Sequence, residues 1–445
     1  MNEHLSLSSQ VLLSPIRAGL LPSQDNTVDV LVRVQSPDAP AGGARLRPAQ
    51  SIALVIDRSG SMHGRPLAEA RRCAEFVVSR LRPIDSVSVV QFDDRVERLW
   101  PAVPVGNGEA VRAAINRIHA GGNTNLHGGW LDGADSLDTL AGVGLKRVIL
   151  ISDGCANEGV TDATEIGLQC SALAARGVWT STYGLGNNFN EDLMVEMARA
   201  GGGSHYYGDT AEDLMEPFQQ ELDLLANLAL RQVELMVAAP DGFEVEMLND
   251  LLTIEGGWRL SDLAWGAEAW AVVRVTVPVA AIAGIGDRVP VLRVTVTGQS
   301  LRGDPVALEK AGLTLPVLTG SAFDKLVADE LVQRRTDEVA AGRVLTEMRD
   351  AVDEGDWLMV EKMLADAHAK FAGNEWVMSI LEAIAEVAES RSRERMLKEA
   401  RYSSAKLNAR LAAKDESNMR LSAEDGPAYL RRKSLQGKGD LYTPV

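Results

Sequence analysis

The chain is short of cysteine, of positive charge and of long apolar runs, and each shortage removes a class of protein. Its 445 residues hold three cysteines, Cys73, Cys155 and Cys170, with no Cys-x-x-Cys pair. An odd set without paired spacing argues against a disulfide framework and against a RING-like zinc finger. It fits thiols used as small core residues in a reducing compartment. Cys155 follows an Asp-Gly loop, where either a reactive thiol or a small packing residue fits. Lysine and arginine number 45 against 62 aspartates and glutamates, a formal net charge of −17. So acidic a chain is poorly suited to neutralising phosphates, so neither nucleic acid nor an anionic membrane is the expected partner. A membrane span needs about 18 or more apolar residues in a row. The longest candidate, 267–285, is broken by Glu268, Arg274 and Pro278. Met1 to Ser14 lacks the basic start and apolar block of a secretory signal. A soluble, cytoplasmic protein is expected.

Catalytic signatures are missing as well. There is no P-loop, no G-x-S-x-G elbow and no H-E-x-x-H. The six histidines, His4, His63, His119, His127, His205 and His368, are scattered. His63 and His127 fall near the loops described next, but a lone loop histidine is ordinarily just solvated. Without a placed general base, no enzymatic activity is expected.

What the chain does have is enough apolar residues, 46%, for cores, and a length that calls for two or three domains. Its most informative stretch is Ser51 to Met62, SIALVIDRSGSM. The apolar run Ile52 to Ile56 reads as a strand buried on both faces. It ends in Asp57-Arg58-Ser59-Gly60-Ser61, and helical spacing follows from His63 to Leu81. Ligands of open α/β sheets bind at such strand-to-helix loops. Asp57, Ser59 and Ser61 are spaced to point the same way, and Gly60 lets the backbone fold tightly between the serines. These hard oxygen donors suit Mg²⁺, Mn²⁺ or Ca²⁺ rather than zinc. The same residues would equally serve as a serine-rich helix N-cap.

Two further pieces bear on that choice. Gly121-Gly122-Asn123-Thr124-Asn125-Leu126 is a glycine-rich loop presenting a hydroxyl. Arg147 to Ser152 is a second buried strand, and it too ends in an acid, Asp153, followed by Gly154. In this order and spacing, the three pieces resemble the metal-ion-dependent adhesion site of von Willebrand factor type A domains, over about residues 48–210. The resemblance implies a doubly wound, mostly parallel, Rossmann-like α/β sheet. It implies Mg²⁺ held directly by Ser59, Ser61 and Thr124, with Asp57 and Asp153 binding directly or through water. It also implies that the two acid-bearing strands are neighbours where strand order reverses. Two carboxylates so placed would repel unless a cation neutralised them. The open position on such an ion takes an Asp or Glu of another protein.

Around this domain, taken as residues 48–229, the texture differs. Residues 5–36 alternate in short apolar runs, clearest at 27–34, before a turn-rich linker from Asp38. Residues 230–318 alternate apolar and polar at regular spacing, as in an antiparallel β-sandwich. The N-terminal strands, residues 1–47, either complete that sandwich or pack on the α/β domain. The α/β domain closes with a helix from Glu212 to Ala229. Residues 319–413 read as an antiparallel bundle of three helices. A capping box at Ser321-Ala-Phe-Asp324 opens the first, to about Ala351; Asp356 caps the second, Trp357 to Phe371; the third runs from Glu375 towards Ala413. Residues 414–445 are polar. They form either a free tail or a strip docked through Tyr429, Leu430 and Tyr442, and Arg431-Arg-Lys-Ser434 resembles a basophilic kinase site.

The function expected is a metal-dependent adaptor that grips an acidic side chain of a protein partner. By family association, that partner would be an AAA+ ATPase of the MoxR type or a signalling or defence component. A metal-dependent hydrolase or phosphatase, or a self-assembling structural subunit, are the alternative readings of the same site.

Overall fold

The computed structural model describes residues 9–38, 49–140, 144–186, 190–208, 210–282, 286–301, 303–308, 310–408 and 411–413. They fall into two compact units, one from residues within 1–43 and 228–434, the other from residues within 44–227. The tail residues 414–445, with the docking strip and the kinase-like site, lie outside the described residues, as do residues 5–8 and the linker beyond Asp38.

The chain opens with β1 (Gln10–Pro15) and β2 (Asn26–Gln35). It then builds the α/β unit: β3 (Gln50–Asp57), α1 (Arg65–Arg80), β4 (Ser86–Phe92), β5 (Val96–Pro104), α2 (Glu109–Ile115), α3 (Leu126–Asp138), β6 (Leu145–Ser152), α4 (Ala163–Ala175), β7 (Val178–Leu185), α5 (Glu191–Ala200), β8 (Gly202–Gly208) and α6 (Ala211–Ala226). The six strands form one sheet in the order β5-β4-β3-β6-β7-β8, parallel except for β5 at its edge. Strand order reverses between β3 and β6. Their apolar runs are long and continuous because helices cover both faces of the sheet. Ala53, Val55, Val148 and Leu150 pack on one face with Trp130 and Ala134 of α3 and Cys170 of α4. Gly133 is what lets α3 lie so close, since a Cβ there would collide with Val55. The doubly wound, mostly parallel α/β architecture expected from the sequence is the one found.

The other unit is discontinuous. After α6 the chain forms β9 (Leu228–Ala238), β10 (Glu244–Met247), β11 (Leu252–Ile254), β12 (Gly257–Arg259), β13 (Leu263–Ala264), β14 (Ala267–Val277), the short α7 (Val279–Ile282), β15 (Arg288–Gln299), β16 (Pro305–Ala307) and β17 (Ala311–Pro316). One sheet has the order β1-β2-β14-β10; the other has β11-β12-β9-β15-β16, with β13 and β17 also attached. Strand β2 pairs antiparallel with β14 along its whole length, from Asn26 opposite Val277 to Gln35 opposite Glu268. The core between the sheets is largely aliphatic, with Val30, Val32 and Val34 from β2 and Leu235, Val273, Val294 and Val296 from later strands. The remaining elements are α8 (Gly320–Phe323), α9 (Glu330–Glu354), α10 (Trp357–Phe371), α11 (Glu375–Glu389), α12 (Arg393–Asn408) and β18 (Leu411–Ala413). α9 lies on the outer face of the first sheet, where Val332 and Val339 meet Leu31, Trp270 and Val272.

Four expectations need correction. The helix placed at Glu212 to Ala229 stops at Ala226, and Leu228 already begins β9, whose first six residues are buried. Six consecutive buried positions suit a strand covered on both faces, not a helix with one wet side. The capping box at Ser321 starts only the single turn of α8. The long helix starts nine residues later, because Asp329 is the better cap: its carboxylate accepts from the amides of Leu331 and Val332, and its own amide is tied to Ile16. The third helix is two, α11 and α12, split at Ser390-Arg391-Ser392. Arg391 is left-handed, with φ of 48°, and the Ser390 hydroxyl donates to the Val387 carbonyl. Residues 411–413, read as helix, pair with β14 as a strand. Asp356 and the span Trp357–Phe371 are as expected.

The helix-on-sheet contact buries charge. Arg335 of α9 is fully buried, with Nη1 2.9 Å from Glu338 Oε2, Nη2 3.9 Å from Glu268 Oε1, and its guanidinium 4.7 Å above the Trp270 ring. Breaking a buried pair leaves an unanswered charge in a low dielectric. Arg335→Ala should therefore destabilise this unit by about 3–5 kcal/mol, read by urea denaturation. Arg335→Met combined with Glu338→Leu should recover most of that loss.

Candidate metal centre

β3 and β6 are paired in parallel with Ile56 opposite Ile151, so both strands end at one level. Asp57 closes β3 and Asp153 follows β6; they are 0% and 6% exposed. The topology thus carries two acids to the sheet's switch point.

The loop after β3 curls over them. The Ser59 amide donates to Asp57 Oδ1 at 2.8 Å. The Ser59 and Ser61 hydroxyls are 3.1 Å apart, and Ser61 Oγ donates to Asp153 Oδ1 at 2.8 Å. The glycine-rich loop is laced to it through the backbone: Gly60 N–H donates to Gly122 O at 2.9 Å, and Gly121 N–H to Arg58 O at 2.6 Å. Thr124 is gripped on both sides of its peptide unit. Its amide donates to Asn157 Oδ1 at 2.8 Å, and its carbonyl accepts from the amides of Asn157 and Glu158. All five residues singled out in the sequence, Asp57, Ser59, Ser61, Thr124 and Asp153, are therefore brought together. A Cβ at Gly154 would lie 3.3 Å from Ser61 Oγ and 3.4 Å from both Asp57 Oδ2 and Thr124 Oγ1. Oxygens from three loops face one small space, and the missing side chain of Gly154 leaves it open.

The electrostatics are unusual for acids. Burial pushes Asp57 above the ordinary carboxylate range, partly offset by the hydroxyl of Ser152, which donates to Oδ2 at 2.5 Å, and by the Ser59 amide. Burial also raises Asp153, to about 6; the Ser61 hydroxyl opposes this and the charge of Asp57 adds to it. Among the described residues, no cationic side chain offsets the burial of either acid. A divalent cation among these oxygens would let both ionise, and a set of two carboxylates and three hydroxyls matches hard-cation chemistry. Among the described residues, no cluster of three or more His, Cys, Asp or Glu offers a competing metal set.

Several contributors went unread in the sequence. Ser152 and Asn157 orient Asp57 and Thr124, as above. Asp93, directly after β4, accepts from the amides of Arg95 and Gly122 at 2.8 and 3.1 Å and ion-pairs with Arg58 at 2.9 Å. Burial opposes its ionisation, but those amides and the guanidinium outweigh it and hold Asp93 below the usual range. The available signal was its position: an acid just past a buried strand beside β3. The residues weighed as reactive do other things. Nε2 of His127 meets Gln169 Oε1 at 2.8 Å, His63 is exposed, and Cys155 is exposed.

Residues 51–221 match the family model of the von Willebrand factor type A domain. The chain is 28% identical over 188 residues to the uncharacterized protein sll0103 of Synechocystis, covering 42% of this chain and 44% of that one. It is 29% identical over 200 residues to inter-alpha-trypsin inhibitor heavy chain H1 of Mesocricetus auratus, covering 42% and 21%. The chain thus spans less than half the length of these curated relatives. A solved von Willebrand factor type A structure from Catenulispora acidiphila matches with a TM-score of 0.66 at 16% identity, over 86% of this chain and 91% of that one, and so shares the fold well beyond the α/β unit.

The raised carboxyl of Asp153 fixes a pH dependence. Its folded value, about 6, lies above its unfolded value near 3.8, so the ion-free native state holds the proton longer. The stabilising contribution is present below pH ~4 and is lost as pH rises through about 6. Asp153→Asn should therefore stabilise the ion-free protein relative to wild type at pH 7.5 by about 2–3 kcal/mol, and hardly at pH 4, in urea titrations at both values.

Proposed function

With residues 51–221 a von Willebrand factor type A domain, we propose that the chain is a metal-dependent protein-interaction module. Asp57, Ser59, Ser61, Thr124 and Asp153 hold Mg²⁺, and an Asp or Glu of a partner protein completes the ion's shell. The observation that carries this reading is the convergence of oxygens from three loops on the space beside Gly154, next to two buried acids that no cation offsets among the described residues. Mn²⁺ or Ca²⁺ suits the same donors.

The ion supplies a concentrated positive charge with a replaceable ligand. The protein supplies the rest. The hydroxyls are neutral and add no further negative charge, so the ion stays electrophilic towards a partner's carboxylate. Burial of Asp57, Ser59 and Thr124 keeps water from competing at their side of the site. Ser61 and Gly60 are exposed, which leaves the outer side reachable. A carboxylate of the partner, desolvated against the ion, would make a strong and directional contact.

Calorimetry should show one Mg²⁺ taken up per chain. Ser59→Ala with Ser61→Ala should weaken that uptake by more than about 100-fold while leaving the far-ultraviolet circular dichroism of the wild type unchanged. Pull-downs from the native host in Mg²⁺ should capture a partner that EDTA releases. Retained Mg²⁺ uptake in the double variant would overturn the site assignment, and turnover of a phosphoester that Asp57→Ala abolishes would favour hydrolysis instead.

A further inference from the structure

Asp93 makes none of the site contacts described for Asp57, Ser59, Ser61, Thr124 and Asp153, yet it touches both the loop after β3 and the glycine-rich loop. It is 3% exposed and stands directly after β4, whose last residue, Phe92, is level with Asp57 in the sheet. One carboxylate oxygen accepts the Arg95 amide, which closes Asp93's own turn. The other accepts the Gly122 amide, two residues before Thr124. The same oxygen pairs with Arg58, the residue between Asp57 and Ser59. The backbone carbonyl of Asp93 accepts the Asn125 amide at 2.8 Å, one residue after Thr124. Arg58 in turn reaches the His119 carbonyl at 3.4 Å, at the entrance of the glycine-rich loop. Gly121 has no room for a side chain because a Cβ there would collide with the Asp93 carboxylate.

We propose that Asp93 is a positioning residue that sets the spacing between the Thr124 hydroxyl and the Ser59–Ser61 pair, and thereby makes the cage selective for the smaller cation. The inference rests on the metal-binding reading above and deepens it. Mg²⁺ needs near-ideal octahedral ligands at about 2.0–2.1 Å, whereas Ca²⁺ tolerates 2.3–2.6 Å and irregular geometry. A clamp that fixes two loops to each other matters more for the demanding ion. When the clamp is cut, the loops remain joined by the Gly60–Gly122 and Gly121–Arg58 backbone bonds, so the cage loosens rather than opens.

The experiment compares Mg²⁺ and Ca²⁺ affinities by calorimetry for the full chain and for Asp93→Ala, Asp93→Asn and Arg58→Ala, alongside hydrogen exchange of residues 119–126 without metal. The Asp93→Ala variant should lose at least about 10-fold in Mg²⁺ affinity, with a clearly smaller loss for Ca²⁺, so that the ratio of the two falls. Asp93→Asn, which keeps acceptor oxygen but not the ion pair, should lie between. Exchange at Gly122 should speed up in Asp93→Ala even in the ion-free state. A merely unstable variant would lower the fraction of chains that bind, not the ratio. Should Asp93→Ala fail to fold, Asp93→Asn and Arg58→Ala decide: a wild-type ratio in both overturns the inference. Wild-type metal uptake with an unchanged ratio in Asp93→Ala overturns this inference alone. No uptake by the wild type overturns the metal reading and this inference together.

Discussion

The structure turns on the burial of two neighbouring acids. Parallel strands in register deliver Asp57 and Asp153 to one level of the sheet, and the surrounding core removes the water that would screen them. At short range in a poorly solvated place, like charges cost several kcal/mol, so the pair holds a proton or a cation. The neighbouring groups are arranged so that either answer works. Ser152 and Ser61 donate to the acids, while the hydroxyls of Ser59 and Thr124 can turn their lone pairs inward.

The contrast with Asp93 shows how finely burial is read by what surrounds it. Asp93 is about as buried as Asp153 and stands at an equivalent place, the end of a parallel strand. Yet one is driven below the carboxylate range and the other above it. Backbone amides and a guanidinium cannot be anything but donors or positive, so they commit Asp93 to its charge. Hydroxyls are indifferent, and a second acid is hostile, so Asp153 stays undecided. One acid fastens loops together; the other is left open to a ligand.

Much of this was legible in the chain. The apolar run into Asp57, the glycines before Thr124 and the second run into Asp153 are strong local signatures of buried parallel strands and tight loops, and the resemblance they carry implied that the five residues meet. The sites that escaped are those whose meaning is non-local. Asn157 and Asp93 look like ordinary loop residues until the topology places them against Thr124 and Gly122. The helical region failed in the same way. Ser321 and Asp329 are both plausible caps by local chemistry, and what selects Asp329 is the hydrogen bond its amide donates to the Ile16 carbonyl, more than three hundred residues earlier. At Arg391, nothing in the alternation announces a left-handed residue; the two flanking serines were the only hint.

The pairing of β2 with β14 has a consequence for how the chain is made. On one edge, the ten residues of β2 find their partners only at 268–277, so the pair spans more than 230 positions of sequence. During synthesis from the N-terminus, β2 emerges with only β1 to pair with, and its other edge must wait while the whole α/β unit is translated behind it. That unit closes on contacts from within 44–227 and can fold during the wait. The nascent protein therefore carries a hairpin with one open edge for the time it takes to translate half the molecule, at about 5–20 residues per second. The order of the strands thus sets a delay between making this edge and covering it.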